Sequence, residues 1–302
     1  MSHRAELDLA ALMLALGDRA CHFDIDLIEQ CDSTNSVLLA RAESGAASGS
    51  VVLARQQTAG RGRRGRAWIS AAGDSLTFSL LWRLPQGVPP AGLSLAAGLA
   101  VVRALEDLLS VGADETNAKA ETTALQGGRA QDALCAVADD DTPSAVTPRL
   151  KWPNDILLDG RKLGGILVEL LPGAAHTAII GCGINLRLPP AIPEDLRANS
   201  AALDEIVSTR GAELDPNIAL AAMLIALLDT LMQFAQGGFA SLQGQWTSRD
   251  AFADLAVSVH SEFAAPLDGI CRGVNALGAL RLEVNGQIQH LLSGEVSLRL
   301  RP

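Results

Sequence analysis

Four arginines and three glycines fill seven consecutive positions, Gly60-Arg61-Gly62-Arg63-Arg64-Gly65-Arg66, and this run constrains the chain more than any other feature. It lies between two apolar runs that read as strands, Val51–Ala54 and Leu76–Leu84, the second ending at Pro85. Taken literally, the run satisfies G-x-G-x-x-G after a strand, the dinucleotide-binding fingerprint. Its context argues otherwise. A dinucleotide loop opens directly into a helix, whereas Trp68-Ile69-Ser70-Ala71-Ala72-Gly73-Asp74 follows here with no helical period. A flexible anion-gripping loop fits better: glycine lets the backbone approach a ligand closely, and guanidinium forks hold phosphate oxygens in pairs. Like charges this close repel, so the loop is expected to be disordered alone and to fold over a bound nucleotide, with Trp68 as its apolar lid. The competing reading, an arginine–glycine nucleic-acid tail, belongs at a terminus rather than between strands.

The charge balance agrees. The formal net charge is −10, and Lys119, Lys151 and Lys162 are the only lysines. A local cationic knot in an acidic chain suits a small anionic ligand, since a polyanion wants a broad basic face. No nucleic-acid partner is expected. Neither is a membrane, because no uninterrupted apolar run reaches the roughly 18 to 20 residues a spanning helix needs, and the acidic start Glu6-Leu7-Asp8 is unlike a secretory signal. A cytoplasmic protein is the expectation. Five scattered cysteines, none in C-x-x-C spacing, and five dispersed histidines argue against a disulfide framework or a zinc site.

Along the chain, a short helix is predicted over residues 7–18 and a strand over Phe23–Leu27. A helix capped within Asp32-Ser33-Thr34-Asn35 should run to about Ser44, and another should cover Leu93–Leu109. Residues 111–148, rich in Ala, Thr, Asp and Gly with no sustained period, read as a mobile surface insertion. Asp159-Gly160 between Ile156–Leu158 and Leu163–Leu171 signals a tight hairpin, and Ala178–Ile180 is a further strand candidate. Asp215-Pro216 opens a long helix to about Phe234, ended by Gly237-Gly238. After Trp246, short apolar runs separated by Asp268-Gly269, Gly273, Gly278 and Asn285-Gly286 suggest a small β-barrel. A mixed α/β catalytic unit over residues 1–250, followed by an all-β unit over 251–302, is the predicted organisation.

Lys162 precedes the glycine pair Gly164-Gly165 in an otherwise apolar strand, where two missing side chains leave room for a ligand. An ammonium there can touch a carboxylate and an adjacent phosphate together. Asn185, in Gly181-Cys182-Gly183-Ile184-Asn185, is able to read an adenine edge by donor–acceptor pairing. Each of these signals is weak when taken singly.

In combination and in this order, Ser33-Thr34-Asn35, the run Gln57–Arg66, Lys151-Trp152-Pro153-Asn154-Asp155, Gly160–Glu169, the Gly181–Asn185 segment and Gly294–Arg299 resemble the biotin–protein ligases. The resemblance implies an α+β fold with a mixed-sheet, class II synthetase-like biotin/lipoate ligase catalytic domain and a small C-terminal SH3-like barrel. It implies an enzyme that joins biotin to a lysine of a biotin carboxyl carrier domain, of acetyl-CoA carboxylase or a related carboxylase, using ATP and Mg2+. Biotinyl-5′-AMP would be the intermediate. By the same resemblance, Ser33, Thr34, Asn35 and Gln57 would line the biotin pocket. Arg61, Gly62 and Arg63 would hold the activated carboxyl and its phosphate, with Arg66 and Trp68 completing the loop. Lys162 would contact the carboxylate–phosphate junction, Gly165 the ligand through its backbone, and Asn185 the adenine. Asn154 and Asp155 would steady Lys162 and magnesium, although no metal ligand is assigned.

Two features depart from the family pattern. Only 32 residues precede Ser33, too few for the DNA-binding winged helix that such ligases often carry, so no repressor activity is expected. The 111–148 insertion has no assigned role. Lipoate or octanoate ligation is the rival activity, because it shares the adenylation logic but not the arginine loop. A biotin-responsive DNA-binding regulator is the rival from another class. A homodimer stays open.

Overall fold

The computed structural model describes residues 6–125, 147–189, 192–209, 214–261, 265–292 and 296–301. The elements run α1 (Leu9–Leu16), β1 (Asp24–Cys31), α2 (Thr34–Glu43), β2 (Ser50–Gln57), β3 (Ser75–Arg83), α3 (Leu93–Leu125), β4 (Arg149–Lys151), β5 (Asp155–Leu158), β6 (Arg161–Leu171) and β7 (Ala174–Asn185). Then come α4 (Glu194–Ala198), α5 (Asp204–Thr209), α6 (Pro216–Gly237), α7 (Gln243–Thr247), β8 (Ala256–Ser261), β9 (Leu267–Val274), β10 (Leu280–Val284), β11 (Gln287–Leu291) and β12 (Val296–Leu300).

The first seven strands make one mixed sheet in the order β1-β2-β3-β7-β6-β5-β4, in which β1 and β2 are parallel and the other neighbours antiparallel. Residues directly opposite one another share a face, so three cross-strand rows can be read from the register. They are Thr77–Gly183–Gly165, Ser79–Gly181–Leu167 and Leu81–Ile179–Glu169. The first two rows are poor in bulk, which leaves a hollow on that face. The third is capped by α2, whose Leu38 and Ala42 pack with Val52, Leu81 and Ile179. On the opposite face Ile166, Ile180, Cys182 and Ile184 join the main core with α3 and α6.

Local sequence signals explain several boundaries. Asp159 (φ 49°) and Gly160 (φ 71°) form the two-residue β5–β6 turn, whose positive φ at both positions suits strand twist. The Asp215 side chain accepts the Asn217 N–H at 2.8 Å and so caps α6, with Pro216 in its first turn. Two helices add to the reading made from the sequence. First, α3 does not stop at Leu109 but continues to Leu125, into the stretch read as an insertion. Good helix formers such as Ala118, Lys119, Ala120 and Glu121 carry it on without an apolar period. The rest of that insertion, 126–146, lies outside the described residues, as do Gly294 and Glu295. Second, α6 is long and apolar enough to cross a membrane by composition, with mean hydropathy 2.0, although Asp229 interrupts its apolar run. It packs instead against α3 and α1, with Leu220, Leu224, Leu227, Leu231 and Phe234 buried. It is a core helix.

Strands β8 to β12 form a second, antiparallel sheet in the order β11-β10-β9-β8-β12. Its apolar side chains Val257, Cys271, Leu280, Leu282 and Leu298 run into the main core rather than forming a separate one. The Trp152 indole N–H donates to the Gly278 carbonyl oxygen at 3.1 Å, tying the small sheet to the segment between β4 and β5. A Cβ on Gly278 would come within 2.9 Å of the Gly92 Cα, so this contact requires glycine.

Candidate active site

A cavity of about 200 Å3 opens on the hollow face of the large sheet. One end is polar. Ser33, Thr34 and Asn35, at the start of α2, are all buried. Helix starts leave N–H groups without partners, and here the Gln57 side-chain oxygen accepts the Thr34 N–H at 2.7 Å and the Thr34 hydroxyl at 3.2 Å. The Ser33 side chain makes no capping bond and lines the cavity. Ser79 was not foreseen as part of this nest. Its hydroxyl lies 2.7 Å from Thr34 Oγ1 and 2.6 Å from Asn35 Oδ1, sharing its single proton between them. The polar alternation Ser75, Thr77, Ser79 within a strand was the available signal. Gly181 makes room for the Asn35 amide, because a Cβ there would stand 2.3 Å from Asn35 Oδ1.

Beside this nest the arginine loop folds over the cavity. Repulsion among its charges led us to expect an unstructured segment, yet the structure shows a closed turn. Gly62 N–H donates to Arg66 O at 2.7 Å and Trp68 N–H to Gly60 O at 2.8 Å, with Arg64 in the left-handed region (φ 60°). The charges find partners within reach: Arg61 Nη2 stands 2.9 Å from Glu169 Oε2, and Arg63 Nη1 donates to Asn154 Oδ1 at 3.3 Å. Trp68 lies against Gly183, where a Cβ would come within 2.6 Å of the indole. Its buried Nε1 makes no hydrogen bond.

Asp155 forms the floor. Its carboxylate meets Lys162 Nζ at 2.6 Å and Lys151 Nζ at 3.5 Å. Burial alone would raise the Asp155 carboxyl pKa, but the two ammonium groups together outweigh it and hold the group below its ordinary value. Asn154 is pinned to β6 by its own Nδ2, which donates to Ile166 O at 2.9 Å, while Ile166 N–H donates back to Asn154 O at 2.9 Å. Gly165 lies beside the Lys162 ammonium, where a Cβ would meet Nζ at 3.5 Å in ordinary van der Waals contact.

Every residue singled out from the sequence lines this cavity except Asn185. The Asn185 amide donates instead to Ala201 O at 3.0 Å and Lys162 O at 3.4 Å, clipping β6 and β7 to the segment before α5. The cavity also gathers groups that had been given no role: Lys151, Cys182, and Ser297, Leu298 and Arg299 from β12. Burial raises the Cys182 thiol pKa, so it stays protonated and is no nucleophile. The second sheet therefore supplies part of the wall.

A polar nest, a double-lysine carboxylate and an arginine flap around one hollow suit an anionic ligand with a polar head. The biotin/lipoate A/B protein ligase family matches residues 27–185, over half of the chain. This chain belongs to that family. The bifunctional ligase/repressor BirA of Escherichia coli (strain K12) is 37% identical over 272 residues, spanning 89% of this chain and 72% of that protein. The biotin–[acetyl-CoA-carboxylase] ligase of Mycobacterium tuberculosis is 30% identical over 276 residues, spanning 90% of this chain and 88% of that one. Among solved structures, the biotin protein ligase of Aquifex aeolicus in complex with biotin and ATP superposes with a TM-score of 0.70 at 27% identity, covering 92% of this chain and 99% of that chain. As a biotin–protein ligase fold, the α+β architecture with its small C-terminal sheet is the one expected.

Proposed function

We propose that this ligase activates biotin in the cavity described above, with the polar nest holding the ligand's head and the cationic end holding its carboxyl and phosphate. The chain is an ATP-dependent biotin–protein ligase, and the biotin carrier of a carboxylase, of acetyl-CoA carboxylase or a related enzyme, is its acceptor. The relatives named as biotin–[acetyl-CoA-carboxylase] ligases support that choice of acceptor.

In the first step a biotin carboxylate oxygen attacks the α-phosphorus of ATP, pyrophosphate leaves, and biotinyl-5′-AMP remains. In the second, the carrier lysine amine attacks the acyl carbon, AMP leaves with the C–O electron pair, and the ammonium proton passes to water. Neither step needs a protein nucleophile; both need charge neutralised and groups positioned. Lys162, Arg61 and Arg63 face the reacting carboxyl and phosphate, and Asp155 and Asn154 hold Lys162 and Arg63 in place. Ser33, Thr34, Asn35 and Gln57 offer donors and acceptors to the ureido ring. Arg66 and Trp68 close over the nucleotide, excluding the water that would hydrolyse an acyl-adenylate.

Among the described residues no cluster of three or more His, Cys, Asp or Glu exists, and Asp155 is the one carboxylate lining the cavity. Asp155 is already paired with Lys162 and Lys151, so magnesium arriving with the nucleotide would be held chiefly by phosphate oxygens and water; the ion would neutralise phosphate charge.

The observation that carries the reading is the Lys162–Asp155–Lys151 group facing the arginine flap across one hollow. Incubation with biotin, ATP and magnesium should yield biotinyl-AMP by mass spectrometry, and lipoate in place of biotin should yield far less adenylate. No biotinyl-AMP, or equal use of lipoate, would overturn it.

A further inference from the structure

The Glu169 carboxylate lies on the ligand-facing side of β6, in the row just beyond the hollow, and is absent from the cavity wall. One of its oxygens, Oε2, accepts two hydrogen bonds from segments far apart in sequence. Asn35 Nδ2, in the first turn of α2, donates at 2.7 Å, and Arg61 Nη2, in the arginine loop, donates at 2.9 Å. We propose that Glu169 is a positioning residue that latches the arginine loop to the start of α2, so that the polar nest and the flap over the adenylate hold or release together. The proposal rests on the function argued above.

Two consequences follow from the chemistry of the groups. A carboxylate only accepts hydrogen bonds, so Glu169, together with the Leu167 carbonyl oxygen that Asn35 Nδ2 also meets at 3.4 Å, sets which way the Asn35 amide points: nitrogen toward Glu169, oxygen toward Ser79 at 2.6 Å. Ser79 by itself imposes no such order, because a hydroxyl both donates and accepts. Glu169 is thus the charged one of the two acceptors that hold the Asn35 amide in this orientation. The same oxygen also counters the charge of Arg61 and holds the loop's first arginine near the sheet. The Glu169 side chain is 26% accessible and that of Arg61 42%, so solvent screens much of this ion pair.

Three measurements on the full-length enzyme test the latch. In Glu169→Gln, which keeps size but loses the charge and the one-way acceptor, biotinyl-AMP should leak into solution at roughly two to five times the wild-type rate, the span expected for one partly exposed ion pair. Trypsin should cut the loop arginines faster in the presence of biotin and ATP by a similar factor. The KM for biotin should rise while the melting temperature stays within a few degrees, a split that a merely structural role would not produce. Glu169→Asp, which keeps the charge but shortens the reach, should fall between the two and serves if the Gln variant folds poorly. Wild-type leak and cleavage rates in either folded variant overturn the latch. If the wild-type enzyme itself makes no biotinyl-AMP, it is the function that fails, so the two outcomes are distinguishable.

Discussion

Lys162 Nζ and the Asp155 carboxylate stand 2.6 Å apart across the β5–β6 hairpin, with Lys151 Nζ at 3.5 Å on the carboxylate's other side. The Asp155 charge thus holds two ammonium groups at one edge of the cavity, where an incoming phosphate can draw on both.

Lys162→Ala should slow formation of biotinyl-AMP by about 100- to 1,000-fold, the range for losing one preorganised electrostatic group, or ~3 to 4 kcal/mol. Pyrophosphate exchange reads this step without the carrier. The same substitution removes the nearer of two charges that depress the Asp155 carboxyl, so a carbon-13 titration should find that carboxyl shifted upward. Because the folded value is lowered, the stabilisation from Asp155 is present above the unfolded value of about 3.9 and is lost as pH falls through the folded one. Lys162→Ala should shrink that acid-side loss.

Ser79→Ala removes the hydroxyl between Thr34 and Asn35 while leaving the strand intact. A buried acceptor left without its donor costs about 1 to 2 kcal/mol of folding stability, and the loosened Thr34 and Asn35 side chains should raise the biotin Kd. The rate at saturating biotin should change little. Isothermal titration and steady-state kinetics separate the two.

Gly181→Ala is expected to be more damaging than its one methyl suggests. The new Cβ would sit 2.3 Å from the Asn35 side-chain oxygen, which Ser79 and Glu169 hold in place. Biotin affinity should fall by at least the Ser79→Ala amount. A Gly173→Ala control is conformationally strained (φ 75°) but meets no atom within 4 Å, so it should cost stability without affecting biotin affinity.

Asp250 predicts the opposite pH sign from Asp155. Burial, the largest cause, raises its carboxyl to about 6 despite the Phe252 N–H that donates to it at 3.0 Å. A raised folded value means that stability is fully present below about 3.9 and falls as pH rises toward 6. Asp250→Asn should therefore gain stability relative to wild type between pH 4 and pH 7, by about 2 to 3 kcal/mol at neutral pH. Denaturant melts at both pH values check it; an unchanged difference would sink the argument.

What the sequence determined alone is the local chemistry. Asp159-Gly160 reads as a tight turn and Asp215-Pro216 as a capped helix start, because each depends on side chains within a few positions of the backbone they control. The ordered motifs likewise made the ligand class legible. Tertiary structure alone decided which of those groups meet. Asn35 and Glu169 are separated by 134 positions, Arg61 and Glu169 by 108, and Ser79 and Asn35 by 44, and sheet register brings each pair together. It also turned the Asn185 amide away from the cavity, brought Ser297–Arg299 to its wall, and kept α6 inside the core. Periodicity tells which face of an element is apolar but not which distant element will cover it, since that choice is made by packing the whole chain at once.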